Sequence, residues 1–160
     1  MNMDIINAMT VYVDMDDVLC DYTGAYNKRL KAFPEVAYPQ SQYGFFSSLK
    51  PIIHAVESVK KLIESRRFNV YILTSPSYKN PLCYTEKRVW IEQFFGLEFT
   101  ERLIICSNKG LLKGHVLIDD CVNGAGQEGF EGDLIHFGSA DYSCWLDVMK
   151  WLDDFIPQAK

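Results

Sequence analysis

Asp14, Asp16 and Asp17, with Asp21 just beyond, follow directly on the apolar run from Thr10 to Val13, and Asp119 and Asp120 follow the run from Val116 to Ile118. Two carboxylates about 4 Å apart repel by roughly 4 kcal/mol at an effective dielectric near 20, a heavy load for a domain of marginal stability. If the two clusters meet, a cation is the simplest relief. With oxygen ligands the ion is a hard one, and Mg2+ suits a few carboxylates plus a substrate phosphate better than Ca2+, which wants more protein ligands. Asp14 and Asp120 are the strongest candidates, because each would be half-buried at the end of an apolar run without a partner. Asp17 and Asp21 read instead as helix N-caps or exposed loop residues, the usual fate of aspartate after a strand.

Two further apolar runs end in complementary chemistry. One closes with Leu73, Thr74, Ser75 and Pro76; the other is followed by Asn108, Lys109 and Gly110. Hydroxyls and backbone amides donate to phosphoryl oxygens, and a lysine sets positive charge beside them where charge develops in a transition state. Thr-Ser-Pro alone is a common turn and Lys-Gly a common exposed loop; it is their joint occurrence with the two acidic clusters, at four successive run ends, that points to phosphate.

The elements that must position these groups are legible as well. Thr10 to Val13, Phe68 to Leu73, Leu103 to Cys106, Val116 to Ile118 and Leu134 to Phe137 are short, β-branched or aromatic, and read as buried strands. Helical period appears between them: Ile52, Val56, Val59 and Ile63 after a helix start at Pro51; Trp90, Ile91, Phe94 and Phe95 closed by Gly96; and Trp145, Met149, Leu152 and Ile156 at the end of the chain. Strands without alternation, separated by helices, predict a doubly wound α/β domain with a parallel sheet covered on both faces and right-handed crossovers. In such a sheet the carboxyl ends of all strands share one edge, so residues as distant in sequence as Asp14 and Asp119 can meet. Roughly 50 residues separate the first strand from the second, more than a crossover needs. The surplus, from about Phe33 to Lys50, carries Pro34, Pro39, Tyr38, Tyr43, Phe45 and Phe46 and predicts a small cap insertion at about 20–50 that could cover the sheet edge.

The chain has 160 residues, one domain's worth, with 48% hydrophobic and 23% charged residues, the mix of a folded domain. Its net charge of −5 leaves no basic surface for long nucleic acid. No apolar run approaches the roughly 20 residues that span a bilayer, and the first basic residue is Lys28, so no charged region precedes an apolar signal and a cytoplasmic location is expected. Cys20, Cys83, Cys106, Cys121 and Cys144 form no C-x-x-C pair, and His54, His115 and His136 stand apart from them. Zinc is therefore not expected, and these residues read as small core hydrophobes and surface or satisfied histidines.

Asp14-Met15-Asp16-Asp17-Val18 after one strand, Thr74 after a second, Lys109, and Asp119-Asp120 after a fourth resemble the four ordered motifs of the haloacid dehalogenase superfamily of phosphohydrolases. Within it, the chain is similar to the 5'(3')-deoxyribonucleotidases through Val13 to Leu19, Leu73 to Pro76, Leu117 to Asp120, the helix from Ala55 to Lys60, and Cys83, Tyr84, Glu86, Lys87, Trp90, Glu92, Phe95 and Gly96. The resemblance implies a Mg2+-dependent phosphomonoesterase acting on nucleoside monophosphates through an aspartyl phosphate. It implies Asp14 as nucleophile, Asp16 as general acid and base, and a Mg2+ site of Asp14, the Asp16 carbonyl, Asp120 and Asp119. Thr74 and Lys109 match its phosphate-holding positions, with Ser75 and Lys87 as further candidates.

Asp17 stands where many members have Gly, Ser107-Asn108 where an Arg-Asp pair is frequent, and Cys121 where Arg is common. The aromatics Tyr38, Tyr43, Phe45 and Phe46 either stack on a nucleobase or pack the cap against the sheet. Two other readings share the fold: a phosphatase of another small phosphorylated metabolite, and a receiver-like phosphoacceptor domain, although a receiver would carry its phosphorylated Asp at the end of a middle strand.

Overall fold

The computed structural model describes residues 8–155. Five strands, β1 (Met9–Val13), β2 (Phe68–Thr74), β3 (Leu103–Ile105), β4 (Val116–Asp119) and β5 (Asp133–His136), form one sheet in the order β3-β2-β1-β4-β5. All four pairings are parallel. The expected α/β doubly wound class is what folds, and each strand matches its apolar run to within one residue at either end. Val11, Val13, Val70, Ile72 and Ile118 are buried on one face, where the helices pack, and Tyr12, Leu73, Leu117 and Phe130 form a smaller cluster apart from it. Burial on both faces is why the strands show no alternation.

The helices are α1 (Tyr22–Ala32), α2 (Ala55–Glu64), α3 (Cys83–Phe95) and α4 (Trp145–Asp154). Helix α2 starts four residues later than Pro51 suggests. Pro51 instead makes an antiparallel bridge with Cys20, and His54, at φ 66°, turns the chain into the helix. Its buried face is Ala55, Ser58, Val59 and Leu62, so Ile63 lies off the stripe and is exposed. Helix α3 ends at Gly96, whose φ of 93° suits glycine. In α4 the buried residues are Trp145, Val148 and Leu152, and Ile156 of the expected stripe lies outside the described residues.

Helix α1 lies in the long connection and was not foreseen, because none of its residues is fully buried and no apolar stripe marks it. Two aspartates start it. Asp21 is its N-cap, accepting from the Gly24 N–H at 2.8 Å, and Asp17 accepts from both the N–H (2.8 Å) and the hydroxyl (2.5 Å) of Thr23. Asp17 has φ 57°, a left-handed backbone that favours glycine, and the two bonds to Thr23 offset that strain. Asp21 is thus an N-cap, as expected, whereas Asp17 is half-buried, lines the cleft and holds the first turn of α1 from outside it.

The connection leaves and re-enters the core at one point, where the Asp21 N–H donates to Lys50 O and the Ile52 N–H to Leu19 O, each at 2.9 Å. Beyond α1 it makes two 3-10 turns, Pro39–Ser41 and Phe46–Ser48, and docks on α3, with the Trp90 indole N–H donating to Leu49 O at 2.8 Å. Phe45 and Phe46 are buried, edge-on to each other at 5.2 Å, so they pack the insertion and present no face to a nucleobase. Tyr38 and Tyr43 are exposed.

Phe45→Ala should therefore destabilise the fold by about 3–5 kcal/mol, the cost of emptying a buried aromatic site, as read from urea unfolding; an unchanged midpoint would contradict the packing role. Asp17→Ala and Asp17→Gly both lose the Thr23 bonds, but only glycine is at ease at positive φ. Asp17→Gly should accordingly be more stable than Asp17→Ala by about 1 kcal/mol, and the reverse order in thermal unfolding would refute this account of Asp17.

Candidate active site

Strand ends build the site. β1 delivers Asp14 and, two residues on, Asp16; β2 delivers Thr74 and Ser75; the loop after β3 delivers Lys109; β4 ends in Asp119, followed by Asp120. Parallel pairing puts these ends on one edge, where Asp14, Asp16, Ser75, Lys109, Asp119 and Asp120 line one cleft of about 420 Å³. Every sequence-predicted site residue except Thr74 and Lys87 reaches its wall, and those two lie immediately behind it.

Two buried ammonium groups organise the carboxylates. Lys109 Nζ lies 2.8 Å from Asp14 Oδ1 and 2.5 Å from Asp119 Oδ2. Two of its three hydrogens are thus committed, and one is left for a ligand. Lys87 Nζ donates to Asp16 Oδ2 at 2.8 Å, Thr74 Oγ1 at 2.6 Å and Ser75 O at 2.7 Å, which uses all three hydrogens. As a phosphate-binding candidate Lys87 therefore has no donor to spare, and its contacts fix Asp16 and Thr74 instead. Because Thr74 Oγ1 accepts from Lys87, its own hydroxyl hydrogen is free to donate elsewhere. The Ser75 hydroxyl oxygen is buried at the cleft without a hydrogen-bond partner, a group that a phosphoryl oxygen would satisfy.

Charge and burial set the protonation of these groups. Burial works to lower both lysines, but Asp16 and Asp14 around Lys87, and Asp14 and Asp119 around Lys109, raise them above the ordinary lysine value. Burial raises the Asp16 carboxyl, with Asp14 adding to the rise and Lys87 opposing it. Burial and Asp14 likewise raise Asp119 against the pull of Lys109.

Asp119 and Asp120, adjacent in sequence, have different surroundings. Asp119 is fully buried and surrounded by donors: Lys109, the Cys121 N–H at 2.9 Å, and Gln127 Nε2 at 3.3 Å from each oxygen. Among the described residues the Asp120 carboxylate has only the Cys121 thiol, at 3.5 Å. Burial, then Asp14 and Asp119, push its pKa up to about 7. It is the carboxylate of the cluster that lacks a cation. Ligand atoms of Asp119, Asp120 and Cys121 lie within 4.8 Å of one another. A hard divalent cation fits this setting, since the donors around Asp120 and Asp14 are mainly oxygen and Asp120 has no cation of its own, whereas Asp14 is paired with Lys109.

Several contributors escaped the sequence reading. Gln127, buried, holds Asp119 and accepts from the Ala125 N–H at 2.8 Å; its one signal is its place among Gly124, Gly126 and Gly129. That loop also braces Lys109, whose N–H donates to Ala125 O at 2.7 Å. Tyr22 lines the cleft from the start of α1, stacked on Phe46 at 6.0 Å, and burial followed by Asp16 pushes its hydroxyl pKa up to about 12. Cys121 is exposed beside the acidic pair and is no core hydrophobe, whereas Cys20 and Cys83 are buried as expected. His136 meets the Asp120 carbonyl at 3.0 Å and His115 accepts from the Thr10 N–H at 2.9 Å, so both histidines are satisfied by backbone.

Residues 36–151 match the model of the family described as 5' nucleotidase, deoxy (pyrimidine), cytosolic type C protein. A Vibrio phage KVP40 protein with a provisional 5'(3')-deoxyribonucleotidase name is 35% identical over 147 residues, covering 89% of this chain and 83% of that protein. The human cytosolic-type 5'(3')-deoxyribonucleotidase is 32% identical over 76% of this chain and 75% of its own length. The mouse mitochondrial 5'(3')-deoxyribonucleotidase is 31% identical over 71% of this chain, which spans 64% of that longer protein. Among the described residues no helix is long and apolar enough to cross a membrane. With four strand ends carrying the ordered acidic, hydroxyl, lysine and acidic groups on one edge, the chain belongs to this 5'-nucleotidase family of phosphoric monoester hydrolases, within the haloacid dehalogenase superfamily.

Proposed function

We propose that the chain dephosphorylates nucleoside monophosphates by way of a phosphorylated Asp14, with Mg2+ as its metal. The observation that carries this reading is the division of labour around the cleft: Lys109 holds Asp14 and keeps one donor free, while Lys87 spends all of its donors on Asp16, Thr74 and Ser75. One carboxylate is presented as a nucleophile and the other is held beside it for proton transfer.

In this scheme Asp14 attacks phosphorus as the ester P–O bond breaks. A nucleoside alkoxide is a poor leaving group, and Asp16, whose carboxyl is raised by burial, gives it a proton. Water then attacks the phosphorus of the aspartyl phosphate as its P–O bond to Asp14 breaks; Asp16 takes the water's proton, and inorganic phosphate and the Asp14 carboxylate are released. Thr74, Ser75 and Lys109 hold the equatorial oxygens. Asp120, the Asp16 carbonyl and Asp14 would hold Mg2+, with Asp119 fixed by Lys109 and Gln127 as their support. When bound, the ion neutralises phosphoryl charge. The insertion at about 20–50 acts as a cap that selects the substrate, and Tyr22, rather than the buried Phe45 and Phe46, offers the aromatic wall at the cleft. A cytoplasmic location and a small-molecule partner complete the reading.

Inorganic phosphate release from thymidine and deoxyuridine monophosphates, with Mg2+ and with chelator, tests it. Turnover should require Mg2+ and vanish in Asp14→Asn; turnover of p-nitrophenyl phosphate alone would move the substrate elsewhere. Asp16→Ala should lower nucleotide turnover by about 10²–10⁴-fold and that of p-nitrophenyl phosphate far less, since its leaving group needs less acid help. Equal losses would remove Asp16 from the proton-transfer role.

A further inference from the structure

Glu86 is a buried carboxylate one residue before Lys87 on α3, and the mechanism above gives it no task. Its oxygens accept from the Gly44 N–H at 2.7 Å and the Phe46 N–H at 2.9 Å, with Asn80 Nδ2 at 3.5 Å. No salt bridge to Glu86 is present among the described residues. A buried carboxylate without donors is costly, so Glu86 is satisfied when the insertion sits where it does.

The insertion is shaped for this contact. Gly44 has φ 83° and Phe45 is right-handed at φ −59°, ψ −58°. Alternation of left- and right-handed residues turns successive N–H groups toward one point, a concavity that binds anions. Here the anion is the protein's own side chain. A residue other than glycine at position 44 would strain the turn, although a Cβ there would meet no neighbour, so the constraint is conformational. Asn80 adds a second tie, donating to Gln42 O at 3.4 Å.

We infer that Glu86 is a positioning residue that clamps the insertion to α3 and so sets how the cap meets a nucleotide. The clamped segment ends in Phe46, whose ring stacks on Tyr22 at the cleft and lies 5.1 Å from Lys87 Nζ. The neighbours Glu86 and Lys87 thus grip, respectively, the cap and the catalytic loops, and α3 keeps the two in register. The kinetic consequence rests on the nucleotidase reading; the clamp itself does not.

Two readouts separate them. Amide hydrogen exchange in peptides spanning Gly44 to Phe46 should quicken by about tenfold in Glu86→Gln, in which the amide NH2 faces one of the two N–H groups, and to a lesser degree in Glu86→Asp, which keeps the charge but shortens the reach. Peptides from β1 and β2 should be unchanged. In the same variants KM for thymidine monophosphate should rise about fivefold or more, with kcat/KM for p-nitrophenyl phosphate nearly constant. Unchanged exchange at Gly44 to Phe46 in both variants would overturn the clamp. Parallel losses on both substrates in a folded variant would overturn its role in positioning the cap. If the wild-type protein turns over no nucleotide, the functional reading fails, and exchange alone decides for or against the clamp.

Discussion

Lys109 bridges Asp14 and Asp119, and Lys87 holds Asp16, so two buried ammonium groups are shared among three of the four carboxylates that the strand ends bring together. Asp120 is left over. This imbalance is the constraint to which the rest of the structure answers. A parallel sheet places the ends of β1 and β4 side by side, and the apolar strands that make the sheet possible also deny their terminal aspartates full hydration. Without the lysines the edge would be a cluster of repelling charges; with them four carboxylates still face only two ammonium groups, an excess that one divalent cation would offset.

The two lysines resolve the same problem in different ways. Lys109 keeps a donor for a ligand, and its loop is braced by the glycine-rich segment that carries Gln127. Lys87 is saturated, its donors spent on the Thr74 hydroxyl oxygen, the Ser75 carbonyl and the Asp16 carboxylate, which it holds in place. Asp119 and Asp120 divide similarly. Asp119 is surrounded by donors, while the Asp120 carboxylate meets only the Cys121 thiol among the described residues. Adjacent residues of one type thus differ in hydrogen bonding through their surroundings alone.

Much of this was legible in the sequence, for identifiable reasons. β-branched runs buried on both faces are unambiguous, which is why β1 to β5 and the residues at their ends could be placed. Asp21 followed the ordinary behaviour of aspartate at helix starts. Other features depend on contacts that no local pattern encodes. Helix α1 buries none of its residues fully and so shows no period. Lys87 carries the composition of a phosphate ligand, but its donors are consumed by partners 71 and 13 residues away. Phe45 and Phe46 have the composition of a base-stacking pair and are core. Glu86 acts through hydrogen bonds to residues 42 and 40 positions away, and Gln127 through bonds to Asp119 eight residues back, marked in the sequence only by the glycines around it.

The most direct test of the charge imbalance needs no substrate. Binding to the folded state alone raises the melting temperature, so Mg2+ should raise Tm of the wild-type protein. Asp120→Asn removes the carboxylate that lacks a cation; its metal-free Tm should equal or exceed that of the metal-free wild type, and Mg2+ should no longer move it. A wild-type Tm indifferent to Mg2+, or an Asp120→Asn protein that responds to Mg2+ as the wild type does, would contradict the account.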